Sequence, residues 1–456
     1  MPRFLFEEGT SSKFWQIDLD GAAFTVAWGK IGTAGQSQVK SCGSPAEAQA
    51  EYDKLIREKT KKGYALAGDG ARPPASPRPA PAAKAPRPGG NPELEANVAD
   101  NPDDVNAYLV YADWLQSTDD PLGEFVALSC RAASDPVLKK LANKQLKLHE
   151  KTWLGALAEH TDLASLEWRN GFIESARVTM EFEGDPHAKK LLTALLKLPT
   201  CQFLRSLTLG LYYDEAEEYE VNYNGAGKVL VAHGPMPSLR SLFIGDFDYP
   251  DETEISWAHL GNLGGVWALY PNLKTLRLRG GDQKLGAINL PNLQEFTIET
   301  GGLTPAALKS IAAAQWPSIE RISIWCGRED YGWKSKAKDL LPLLERTDLP
   351  KLRHLGLKNS EIGDELPALL ARTPLLRQLD ELDLSMSTFG DAGAEALLAN
   401  APAFTHLTLI DVSESYLTPP VAARLHAVFP AANVKGQRKP DDWGSGELHR
   451  YCSVGE

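Results

Sequence analysis

Few residues in this 456-residue chain stand at spacings that do chemistry. Asn224-Gly-Ala-Gly-Lys228-Val229 comes nearest to a phosphate-cradling loop, but the first glycine is misplaced and no Ser or Thr follows the lysine, so it reads as an ordinary loop. Nine histidines are dispersed without ligand spacing. The five cysteines (Cys42, Cys130, Cys201, Cys326, Cys452) are odd in number and include no C-x-x-C pair, which indicates neither a disulfide framework nor a zinc site. Hydrolase, kinase, zincin and dinucleotide signatures are missing. Asp113 and Trp114 form an acid–aromatic pair that reads as a helix cap and a core aromatic. The expectation is a non-catalytic protein without cofactor or metal, whose chemistry is recognition.

Recognition needs a scaffold, and from Leu204 onward one phrase keeps returning: Leu or Ile, two residues, Leu, one residue, Leu. It runs Leu204-Arg-Ser-Leu207-Thr-Leu209, Leu239-Arg-Ser-Leu242-Phe-Ile244, Leu273-Lys-Thr-Leu276-Arg-Leu278 and Leu293-Gln-Glu-Phe296-Thr-Ile298. It continues as Ile319-Glu-Arg-Ile322-Ser-Ile324, Leu352-Arg-His-Leu355-Gly-Leu357, Leu379-Asp-Glu-Leu382-Asp-Leu384 and a weaker copy ending Ile410-Asp-Val412. Alternation of this kind makes a short strand with one face buried. Copies roughly 20 to 35 residues apart have the period of leucine-rich repeats. Leu355, Leu382 and Ile410 are 27 and 28 apart, with helices expected at 363–370 and 390–398 between them. Strand plus true helix at that length resembles the ribonuclease-inhibitor-like subclass, implying an α/β horseshoe solenoid over residues 181–433. Ser360, Ser387 and Ser415 stand where that family often has a buried Asn, and a hydroxyl can still bond the turn backbone.

In such strands the leucines point inward and the residues between and beside them face the concave surface. That surface reads Arg277 and Arg279; Glu295, Thr297 and Glu299; Arg321, Ser323 and Trp325; His354, Gly356 and Lys358; Glu381, Asp383 and Ser385. An aromatic among arginines is the composition of an interface hot spot, so the expected protein-binding residues are Arg277, Arg279, Glu299, Arg321, Trp325 and Lys358. The other reading is that Trp325 folds over a neighbouring loop and the charges solvate the sheet. Acidic insertions at 214–220 and 246–252 either meet a basic partner or are solvated loops.

Upstream, Lys13 to Asp20 and Ala22 to Trp28 alternate around an Asp-Gly turn, a hairpin signal. A helix is expected from Pro45 to Lys62, opened by Ser44-Pro-Ala-Glu47. Phe14-Trp15, Trp28-Gly29-Lys30-Ile31-Gly32, Gly35-Gln36 and the helix ending at Gly63-Tyr64 resemble a bacterial WGR domain over residues 1–66, a small α+β unit. In eukaryotic ADP-ribose polymerases that domain helps recognise DNA ends, so the resemblance implies a nucleic-acid contact through Trp28, Gly29 and Lys30. Lys30 stands where the family has Arg, and a lysine lacks the forked, stacking guanidinium. Core packing of Trp28 is the alternative.

Residues 67–91 are Pro/Ala/Gly-rich and basic, the composition of a semi-extended linker. Within 92–180 the pattern turns helical, and Asn101 to Leu115, Asp120 to Leu128 and Trp168 to Glu174 resemble the repeat-companion module of myxobacterial and planctomycete proteins. A module there would cover the apolar end of the first repeat. The polar tail, 434–456, either caps the last repeat or binds something.

The net charge of -12 argues against a whole-chain binder of nucleic acid or acidic membranes. No apolar run of 18 residues occurs and the N-terminus has no apolar leader. With the unpaired cysteines, this gives a cytoplasmic expectation. The sequence thus points to an interaction protein whose solenoid holds an unidentified protein, with the WGR domain as a tethered second module. The alternative is a nucleic-acid-associated adaptor whose WGR domain contacts DNA or RNA while the repeats recruit the protein partner.

Overall fold

The structure is a computed structural model describing residues 3–8, 11–31, 36–41, 44–61, 64–66, 90–132, 135–160, 162–180, 188–213, 220–442, 444 and 446–455. Gly32 to Gly35, Cys42, Lys62, the linker at 67–89, the acidic stretch 214–219 and Trp443 lie outside these. The chain divides into two compact units, 1–79 and 80–456.

The first unit is a five-stranded antiparallel sheet with one helix. Strands β1 (Arg3–Glu8), β2 (Ser11–Asp20), β3 (Ala23–Lys30), β4 (Gln36–Ser41) and β5 (Ala65–Leu66) pair in the order β4-β3-β2-β1-β5. Helix α1 (Pro45–Lys61) lies over it. Alternation along β2 and β3 puts Trp15, Ile17 and Phe24 into a small core with Phe4.

The second unit begins with four helices, α2 (Pro92–Asp100), α3 (Val105–Ser117), α4 (Pro121–Arg131) and α5 (Pro136–Leu154). Each starts where an Asn or Asp side chain takes a backbone N–H of its first turn: Asn91, Asp104, Asp120 and Asp135, three of them just before a proline. Asp113 is no cap; it sits exposed in mid-helix, and Trp114 is half-buried, stacked on Tyr111 at 5.6 Å. Tyr108, Tyr111, Phe125 and Trp153 form a core that takes in Phe172 from the sheet beyond and Phe203 from the turn before its next strand. The helices thus cover the upstream end of that sheet.

The large sheet has eleven strands. Two of them, β6 (Ala164–Arg169) and β7 (Phe172–Val178), make an antiparallel hairpin. All eight recurring phrases then supply strands, and they add in parallel and in chain order: β8 (Ser206–Leu209), β10 (Ser241–Ile244), β12 (Thr275–Arg279), β14 (Glu295–Glu299), β15 (Arg321–Gly327), β16 (His354–Ser360), β17 (Glu381–Asp383) and β18 (Leu409–Asp411). β19 (Ala432–Asn433) closes the order. Each phrase's leucines enter one continuous core. Ser360, Ser387 and Ser415 are fully buried; Ser360 Oγ accepts from Ile362 N at 3.3 Å, and Ser387 Oγ donates to Leu384 O at 2.6 Å.

Three short strands, β9 (Val221–Asn222), β11 (Ala258–Asn262) and β13 (Gly281–Lys284), form a second parallel sheet from the insertions of the early repeats. The glycine-rich stretch at 224–229 is not a loop: it begins a helix, Asn224–His233. Ala226 and Leu230 anchor that helix in the core, and Gly227 lets it approach so closely that a Cβ would meet Asn262 O at 2.9 Å. Among the described residues no helix is long and apolar enough to cross a membrane, and no group of three or more His, Cys, Asp or Glu could hold a metal ion.

Candidate functional site

Parallel register stacks the outward side chains into rows. Arg277 lies between Phe243 and Thr297, and Arg279 is opposite Glu299. Glu299 is 5% exposed, although it belongs to the outward row. Its two oxygens each hold one guanidinium: Arg277 Nε reaches Oε1 at 2.8 Å and Arg279 Nε reaches Oε2 at 2.6 Å. Arg277 also lies over the Phe243 ring at 4.4 Å, while Arg279 leans on Phe247 at 5.3 Å and donates to the Phe247 carbonyl. A buried carboxylate shared this way satisfies the charge it desolvates and leaves one net positive charge facing out.

Two strands on, Arg321, His354 and Glu381 follow one another across β15, β16 and β17. Arg321 Nη1 donates to Glu381 Oε2 at 3.1 Å, and His354 Nδ1 lies 2.8 Å from the same oxygen. Arg321 Nη2 is 2.9 Å from that ring nitrogen. A guanidinium offers only donors, so with Nδ1 donating to Glu381 the Arg321–ring contact is no hydrogen bond. Burial pushes the His354 imidazole below its ordinary pKa, and Arg321 adds to this, against the pull of Glu381. The hydrogen bond from His354, followed by that from Arg321, holds the Glu381 carboxyl below the usual range.

Lys358 completes the set, its Nζ 2.8 Å from Asp383 Oδ2. Trp325 is its register partner on β15, half-buried against the edge of the core. Of the residues expected to bind a protein, then, Arg277, Arg279 and Glu299 form one cluster, Arg321 a second, and Trp325 with Lys358 the ground beside it. Sequence reasoning placed Glu299 among exposed charges, whereas it lies buried under two arginines. It missed Phe243 as the platform beneath Arg277. In the second acidic insertion, Asp246 bonds Arg177 Nε at 2.6 Å and is tied to the sheet.

In the first unit, Trp28 is 38% exposed and pairs in register with Trp15, which is the one that enters the core. Gly29 follows it on β3; the Lys30 side chain lies outside the described residues. Lys59 sits over the Trp15 and Tyr64 rings at 5.6 and 5.2 Å, while Lys40 is 5.9 Å from Phe24. Lys40 and Lys59 therefore lean on different rings, and Lys54 pairs with Glu51 at 3.3 Å.

These features define an α/β protein with a small antiparallel N-terminal unit and a large, mostly parallel sheet carrying paired charges. Residues 3–71 match the family model of the WGR domain, and the chain carries that domain at its N-terminus. Protein YehF of Escherichia coli K12 is 44% identical over 64 residues, covering 14% of this chain and 23% of YehF. YfeS of the same organism is 40% identical over 62 residues, 14% of this chain and 25% of YfeS. The matched region thus spans about a quarter of either relative. A crystal structure of a Bacteroides fragilis protein aligns over 100% of this chain and 99% of its own, with TM-score 0.51 and 22% identity, a likeness of fold. An internalin from Listeria monocytogenes aligns over 57% of this chain and 86% of its own at TM-score 0.29 and 14% identity.

Proposed function

We propose that the second unit is a leucine-rich-repeat solenoid of the ribonuclease-inhibitor-like kind with a helical repeat-companion cap, and that the chain is a non-catalytic cytoplasmic interaction protein. Its concave face from β12 to β17 takes a protein partner, and the WGR domain is a second binding module. The observation that carries this reading is the pairing of the outward charges before any partner arrives. Arg277 and Arg279 are held by Glu299, Arg321 by Glu381 and Lys358 by Asp383, so little side-chain entropy remains to be lost on docking. Trp325 supplies the aromatic anchor beside them. The test is capture of partners by the whole chain and by Trp325→Ala in parallel; a partner retained equally by both overturns the assignment of this face.

A second reading rests on Trp28, an exposed aromatic in a domain whose relatives among ADP-ribose polymerases meet DNA ends. Weak DNA-end binding that fades with salt is expected, because each phosphate contact carries a counterion cost. Binding that is tight at physiological salt and lost in Lys30→Ala would instead make nucleic acid the primary ligand.

A further inference from the structure

Beyond its last strand the chain turns back along the sheet, and residues 449–455 cross the loops that follow the strands in reverse order. Tyr451 meets Tyr416 after β18, Ser453 N donates to Met386 O after β17 at 2.9 Å, and Val454 meets Asn359 in β16. Gly455 reaches Gly301 after β14, where a Cβ on Gly301 would collide with the Gly455 carbonyl.

The contacts are those by which proteins read an extended peptide. Asn359 accepts from Val454 N at 2.9 Å and donates to Val454 O at 2.5 Å, so a single amide takes both main-chain groups of one residue. The Tyr416 hydroxyl does the same for Tyr451, at 2.9 Å to each group. These bonds are blind to side-chain identity; selectivity comes from the sites between them. Arg450 Nη1 bonds Asp364 at 2.9 Å and the Thr388 carbonyl at 2.7 Å. The Arg328 guanidinium lies 3.8 Å over the Tyr451 ring, and Cys452 and Val454 are buried at alternate positions. Asn359 is itself fully buried with φ 47, the left-handed turn conformation that Met386 and Glu414 share at the same place before Ser387 and Ser415. The residues leading in turn back on themselves, Asp441 and His449 exchanging both main-chain hydrogen bonds, with Leu448 73% exposed between them.

We propose that this groove along the rim of β14–β18 is a receptor for an extended peptide presented in trans, and that segment 449–455 is its built-in competitor. The ligand it fits carries a cation, an aromatic, a small residue, any residue, then a β-branched residue before glycine. While the strap is seated, the apparent affinity for such a peptide is reduced by the fraction of time the groove is open.

The probe is a fluorescent synthetic peptide spanning His449 to Gly455 with Cys452→Ser. Replacing Tyr451→Ala and Val454→Ala in the whole chain weakens the strap and leaves every groove residue in place. That variant should bind the peptide about tenfold or more tightly than the unmodified chain, and adding Asn359→Ala should remove the gain. A variant that keeps its circular dichroism yet binds no better overturns the proposal. Should the variant lose its fold, the unmodified chain decides through alkylation of Cys452 followed by mass spectrometry. Added peptide should speed Cys452 labelling in a saturable way and leave Cys201 unchanged; a Cys452 rate indifferent to peptide overturns the proposal equally.

Discussion

The two charge clusters on the sheet face use one geometry and bury opposite chemistry. In each, an outward arginine reaches an acid on a later strand: Arg277 to Glu299 at 2.8 Å, Arg321 to Glu381 at 3.1 Å. Around Glu299 the buried group is the carboxylate, 6% exposed as a side chain, and both of its oxygens are engaged by guanidinium groups. Around Glu381 the acid is 33% exposed and the buried group is an imidazole, His354, 11% exposed. The second cluster holds an imidazole whose pKa burial lowers. One stretch of sheet thus buries an acid in one cluster and an imidazole in the other.

The sharpest way to break this comparison is Glu299→Gln, which leaves Arg279, 16% exposed, without its counter-charge. Loss of one partner of a buried pair should cost about 3 kcal/mol, read by urea denaturation. Next in size is Trp325→Ala, which should weaken a captured partner by about 2 kcal/mol while the thermal midpoint hardly moves. If stability falls and affinity stays, Trp325 is a packing residue and the two clusters do not share a binding face. Glu381→Gln should cost only about 1 kcal/mol of stability, because the acid is partly solvated and its bonds are partly replaced by water. Equal losses for Glu299→Gln and Glu381→Gln would show that burial does not separate the clusters.

What was legible in the sequence were the features that repeat. The eight L-x-L phrases could be read because leucines at alternate positions must go inward whatever their neighbours do, and all eight supply strands in chain order. The hydroxyls of Ser360, Ser387 and Ser415 followed from their fixed place in the repeat. β9, β11 and β13 were not legible: they are short and partly polar, and they pair through main-chain groups that carry no side-chain signature. The helix at 224–233 was hidden by its two early glycines, of which Gly227 is a close-packing position there. Glu299 reads as one more surface charge until Arg277 and Arg279 from the preceding strand close over it. The strap had no local signal, since Asn359 and Val454 are 95 residues apart in sequence.

The smallest expected effect is a slope, and it separates the clusters most cleanly. His354 has a lowered pKa, so the unfolded chain takes up a proton more readily than the folded one. Its contribution to stability is therefore present above the ordinary histidine value of about 6.5 and is lost as pH falls through the lower, folded value. Glu381 is shifted in the same direction from a lower start, so its own loss begins only below about 4.3. Between about pH 6.5 and 5 the imidazole acts alone within the cluster, facing Arg321, Glu381 and Asp383. His354→Gln keeps a donor for Glu381 and removes the titration. The stability difference between wild type and this variant should then change across that window with a slope of at most about 1.4 kcal/mol per pH unit, the limit for one proton. Glu299→Gln, which leaves His354 and its partners in place, should shift the whole curve down without altering its slope there. If His354→Gln leaves the slope as it was, the imidazole does not gate the second cluster.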